Sequence, residues 1–231
     1  MTSPLQILRA QTQVLHQALE ATPIAQALMA PDLTLPRYAN ILAVWAAGWQ
    51  ILEPALFAAP FASTVPHLLP FPRSRCAQAD LHYLDSLAVF DRSRRAVPAD
   101  PDAGAGAAAT ATWAGIPPSL SGFIGVCYVL RGASLGGKVI ARHLDRTLGL
   151  DATHGAAFFN AESGEGLSWV QWMDRAQQAL LKENEIDAAC HAAAATFSLL
   201  LGLFSEPQRD LVSASAHRYP APATAGSDTR G

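Results

Sequence analysis

Apolar residues recur at three- and four-residue steps over most of this chain. Leu5, Leu8, Thr12, Leu15 and Leu19 open the series, a spacing that lines one face of an α-helix. Ser3 followed by Pro4 supplies the start signal, a capping hydroxyl with proline at the first helical position. A second long helix is predicted from Pro36 to Phe57, bent or ended near Pro54. The stretch APFASTVPHLLPFP then carries four prolines and predicts a connector. Helical periodicity resumes in RSRCAQADLHYLDSLAVFDR and lapses in the Gly-, Pro- and Ala-rich run that follows. A long helix is predicted from Pro118 to Leu148, then a connector, DATHGAAFFNAESGEG. Two further helices are predicted, Leu167 to Lys182 and Glu185 to Phe204. No run shows the two-residue alternation of a strand. The pattern predicts one all-α domain over residues 1–206 and a flexible tail over 207–231, where small, polar and proline residues lose all periodicity.

Composition narrows the function classes. The chain has 231 residues, half of them hydrophobic, enough for a substantial core. A net charge of -3, with only 15% charged residues, gives no electrostatic footprint for nucleic acid or an anionic membrane. Cys76, Cys127 and Cys190 are odd in number and widely spaced, so neither a disulfide framework nor a zinc site is suggested. The N-terminus lacks the basic start and apolar core of a signal peptide. The most apolar run, Ala192 to Phe204, is shorter than the roughly 20 residues of a membrane span and predicts a buried helix. A cytoplasmic protein without nucleic-acid or membrane partners is expected.

Two stretches carry candidate chemistry. YVLRGASLGGKVI reads as helix on both sides, yet Gly132, Gly136 and Gly137 sit in its middle. Each interior glycine costs about 1 kcal/mol relative to alanine. One reading is close helix packing, since Gly132 and Gly136 form a GxxxG pair. A nucleotide-binding reading is weaker still, because the order is not GxGxxG and no strand precedes it. Another reading is a bent, side-chain-free surface with room for something planar. In LHQALE, His16 sits beside the apolar stripe of the first helix. It reads either as a core histidine or as a metal or haem-iron ligand. Glu20, four residues on, is placed to orient its other ring nitrogen. Arg9, two turns earlier, is placed to meet a carboxylate at the edge of a flat ligand. Lys138 and Arg142 follow the glycines at a four-residue step and fit either ligand or partner contact or a solvated face.

LRAQTQVLHQALE together with YVLRGASLGGKVI resembles the proximal and distal helices of the haem oxygenases, in particular the bacterial branch. HGAAFF, LSWVQWMDRA and AAAATFSLLLGLF follow in the order of that family's C-terminal half. The resemblance implies haem b held between a proximal helix and a bent, glycine-rich distal helix. His16 matches the axial iron ligand, Thr12 and Glu20 the polar positions beside it, and Arg9 a basic position that binds a haem propionate. Gly132, Gly136 and Gly137 match the distal glycines. Many animal members carry an aspartate after the first of these; here the position is Ala133, which leaves Ser134 or backbone carbonyls to hold distal water. The implied activity is oxidative opening of haem to biliverdin, with release of CO and ferrous iron. It needs O₂ and electrons from a ferredoxin or an NAD(P)H-dependent reductase, and its product suits a bilin acceptor such as a phytochrome. A non-catalytic haem-binding or haem-sensing protein of the same fold is the alternative.

Overall fold

The structure is a computed structural model that describes residues 3–87, 115, 117–161, 167–183 and 186–205. The expected tail, 207–231, lies outside the described residues, as does most of the Gly/Pro/Ala-rich run. The described residues form nine α-helices and one 3-10 turn, and no strand. The helices are α1 (Pro4–Glu20), α2 (Pro23–Leu28), α3 (Leu35–Ala58), α4 (Phe61–Thr64), α5 (Ser74–Ser86), α6 (Leu120–Leu148), α7 (Ala157–Asn160), α8 (Trp169–Glu183) and α9 (Ile186–Ser205).

Local signals set most of the boundaries. Ser3 and Gln6 form a reciprocal capping box: the Gln6 N–H donates to the Ser3 hydroxyl, and the Ser3 N–H donates to the Gln6 side chain at 2.9 Å. The Thr22, Thr34 and Ser119 hydroxyls cap α2, α3 and α6, each accepting one backbone N–H. Pro54 does not end α3, which continues to Ala58. Gln50, whose carbonyl loses its in-helix donor to the proline ring, is exposed, so the loss falls where water is available. Gly149, at φ 67°, closes α6 in the left-handed conformation, and the Leu150 N–H returns to the Leu144 carbonyl at 3.4 Å.

α9 is the helix on which the others converge. α6 and α1 both pack along it, and α3 and α2 add further contacts. Two glycines allow this. A side chain at Gly48 of α3 would begin 2.9 Å from Leu200. At Gly125 of α6 a Cβ would lie 2.2 Å from the Ala189 carbonyl oxygen, a backbone atom that cannot turn aside. Trp45 and Trp49 stack at 5.6 Å and meet Phe158, Phe159 and Phe204, so the core joins α3, α7 and α9.

α9 corrects one sequence expectation. With Ile186 to His191 included, it is 20 residues long with mean hydropathy 1.6, so it is long and apolar enough to cross a membrane, as are α3 and α6. In all three, half or more of the most apolar window is buried inside the protein. Their apolar character is accounted for by packing on several sides at once.

Gly125→Ala should therefore destabilise the protein by at least about 3 kcal/mol, because backbone must move on both helices. Chemical denaturation measures this, and a change below about 1 kcal/mol would contradict the close approach.

Candidate functional site

The first half of the site lies on α1. His16 is exposed, with 57% of its side chain accessible, so it is not a core histidine. Its ring meets Phe197 of α9 edge-on, with centroids 6.0 Å apart. Its Nδ1 lies 3.7 Å from a Glu20 carboxylate oxygen. That distance is too long for a hydrogen bond and marks a loose i, i+4 pairing. Arg9 is exposed, whereas Thr12 is buried. The Thr12 hydroxyl donates to the Leu8 carbonyl at 2.9 Å. Burial raises the pKa of Tyr128 on α6, opposed by the Thr12 side chain and by the Arg9 charge. Thr12 and Arg9 of α1 thus lie near Tyr128 of α6.

The second half is α6, which runs unbroken through its glycines. They divide into two groups. A Cβ at Gly137 would sit 2.9 Å from the Phe159 carbonyl oxygen, so this glycine is required by packing. A Cβ at Gly132 would meet only the Trp169 ring, at 3.7 Å, and one at Gly136 would meet nothing within 4 Å. Nothing in the described chain requires glycine at either position. The GxxxG packing reading therefore applies to neither Gly132 nor Gly136. The close approaches in α6 belong to Gly122, which meets Pro117, and to Gly125 and Gly137, which meet backbone.

Ser134 does not share the exposed face. It is buried, and its hydroxyl donates back to the Arg131 carbonyl, a common outlet for serine within a helix. Its proton is therefore committed to its own helix. Arg131 is also buried and donates to the Leu69 and Leu167 carbonyls, tying α6 to the chain on two sides. Lys138, Arg142 and Arg146 are exposed, and the last two donate back to carbonyls of their own helix, which matches a solvated face.

Sequence reasoning missed the aromatic group beside Gly132. Trp169 stacks on Trp172 at 5.4 Å, and Tyr128 lies 5.8 Å from Trp169. The Trp172 indole N–H donates to the Leu68 carbonyl at 2.8 Å, which fixes the group. The three-residue spacing of the tryptophans, with Tyr128 one turn before Gly132, was the available signal.

Among the described residues no three His, Cys, Asp or Glu side chains gather into a metal site. One imidazole does not hold a bare ion, but it suffices for iron in a macrocycle that brings its own equatorial nitrogens. The donor set among the described residues therefore fits haem.

Comparisons with known proteins give the family and the fold. The profile of the family described as Heme oxygenase matches residues 3–206, and the chain belongs to that family. A crystal structure of heme oxygenase-1 from the cyanobacterium Synechocystis sp. PCC6803 in complex with heme is similar, with a TM-score of 0.65 and 17% identity. The match covers 92% of this chain and 95% of that one. Heme oxygenase from Leptospira interrogans is also similar, with a TM-score of 0.56 and 17% identity, over 88% of this chain and 98% of the other. At these identities the two structures establish a shared all-α fold. No curated protein matches the sequence.

The segment beneath Gly137 holds a buried acid. Asp80 of α5 is 2% exposed and accepts the Ala157 and Phe158 N–H groups at 2.9 and 2.7 Å. Burial pushes its pKa up to about 6, and the two N–H bonds oppose the rise. A folded pKa above the unfolded value means that protonation favours the folded state. The contribution is complete below the unfolded value and is lost as pH rises through about 6. Wild type should thus gain up to about 3 kcal/mol over Asp80→Asn as pH falls from 7 to 4. Paired denaturation curves across that range measure it, and a constant difference would refute the assignment.

Proposed function

We propose that this protein binds haem b and opens it oxidatively to biliverdin, releasing CO and ferrous iron. In this reading His16 ligates the iron and the Gly132–Gly136 face lies opposite. The observation that carries it is the unexplained cost of Gly132 and Gly136. Two interior glycines cost about 2 kcal/mol, and no contact within the described chain requires either of them. A flat ligand lying against the helix backbone supplies the missing requirement. Family membership supports the same reading, as does the complex of the Synechocystis neighbour with heme.

When bound, haem would supply both the iron that activates O₂ and the carbon skeleton that is cleaved. The chain's own residues have narrower tasks. Glu20 biases the His16 ring through Nδ1, which directs Nε2 toward the ligand. Arg9 offers a guanidinium near the α1–α6 junction, suited to a propionate. Gly132 and Gly136 let the ligand approach the backbone and keep acids and bases off that surface. Electrons come from a separate ferredoxin or NAD(P)H-dependent reductase.

A second reading, a non-catalytic haem-binding or haem-sensing protein, draws on Ala133 and on Ser134, which is turned back onto its own helix. The two separate on mixing purified protein with hemin, then adding reductant in air. A Soret band that decays as biliverdin absorption grows is the expected result. A band that persists under reductant and O₂ favours the carrier, and no band at all overturns both.

Two substitutions sharpen the test. His16→Ala should abolish the imidazole-ligated spectrum of the hemin complex. Gly136→Ala should have opposite effects on fold and function. It should stabilise the ligand-free protein by about 0.5–1 kcal/mol. It should also weaken hemin binding or ring opening by about tenfold, equivalent to about 1.4 kcal/mol. Stabilisation with undiminished binding and turnover would show that the open face does not contact the ligand.

A further inference from the structure

We propose that Asp80 is a positioning residue for the open glycine face of α6, acting through residues 155–159. Asp80 belongs to α5, which packs against α3 and α7. Each of its carboxylate oxygens takes a different backbone N–H, Ala157 on one and Phe158 on the other. Two bonds from one planar acceptor fix the direction of the chain as well as its position. One step earlier, the Tyr38 hydroxyl of α3 donates to the Gly155 carbonyl at 2.8 Å. Gly155 has φ 83°, a left-handed turn that brings its backbone against the Tyr83 ring.

These anchors converge on the next carbonyl. Phe159 is buried, and its carbonyl oxygen is the atom that a Cβ at Gly137 would meet at 2.9 Å. The α6 backbone therefore rests on a backbone atom whose place is set by Asp80 and Tyr38. Backbone against backbone leaves no side-chain rotamer to absorb a shift. Gly136, the neighbour of Gly137, faces open space on the other side of the same turn. Loosening 155–159 thus loosens the turn that presents the open face. The identity of the ligand on that face rests on the haem reading above; the mechanical link does not.

The test is amide hydrogen exchange on the ligand-free full chain, comparing wild type, Asp80→Asn and Tyr38→Phe. Asparagine retains the shape of Asp80 but only one acceptor oxygen. Exchange should rise about tenfold or more both in 155–160 and in 133–140, with α1 unchanged, because local openings report local stability. A rise confined to 155–160 would overturn the proposal, as would an equal rise in every helix, which marks general destabilisation. If Asp80→Asn does not fold, Tyr38→Phe decides alone, since it removes one hydroxyl and no charge. Hemin titration of the same variants gives a second readout. They should retain the imidazole-ligated spectrum, with a changed ferric spin-state balance from the altered distal side. An unchanged balance together with unchanged exchange at 133–140 also overturns the proposal. Failure of wild type to bind hemin would remove the haem reading and leave the exchange result to decide the link.

Discussion

The arrangement depends on the close passage of α6 over α9 at Gly125, where a Cβ would lie 2.2 Å from the Ala189 carbonyl. α1 packs along the same helix, and the His16 ring meets α9 through Phe197. The two halves of the candidate site are therefore registered against a common third helix. A site built in this way can leave surface uncovered between its halves without losing their relative placement, because α9 carries the packing energy.

The glycines of α6 serve opposite purposes. Gly125 and Gly137 let backbone approach backbone, so packing offsets the entropy they cost. Gly132 and Gly136 make no such approach, and the fold tolerates their cost without a visible return. Local stability given up at a surface, with nothing in the chain to compensate, is characteristic of functional positions. The distinction depends on which neighbours a Cβ would meet, so sequence spacing alone could not make it. GxxxG spacing even pointed to the wrong pair.

Helices were legible because caps and periodicity are local. Ser3 with Gln6, Ser119 and Gly149 marked their boundaries within one turn. The six-residue α2 escaped notice because it is too short to establish a period. The buried polar groups were illegible for a different reason. Glu53 accepts the Arg73 and Ser74 N–H groups at the start of α5, and Asp80 does the same for residues 157 and 158. Those partners lie 20 to 78 positions away along the chain, so no local pattern announces them. His16 was singled out by residue type and neighbours, but its exposure was not foreseen. Helical periodicity gives a direction around the axis, not how far a neighbouring helix extends over it.

The composition of the open face has a chemical consequence. Gly132, Ala133 and Gly136 carry no ionisable atom, and Ser134 spends its hydroxyl on its own helix. A histidine or arginine there would stabilise negative charge on a bound oxygen species and direct heterolysis at iron, as in peroxidases. In the haem reading proposed above, a surface of backbone and methyl groups would provide no such charge, and proton supply would fall to water held by peptide groups. In the same reading, the placement of that water would depend on the height of the α6 backbone above the ligand. That height is referenced to the Ala189 carbonyl at one end of the glycine series and to the Phe159 carbonyl at the other. A backbone-only surface places unusual demands on the rigidity of the helix that supplies it, and both supports are themselves backbone atoms within well-packed elements.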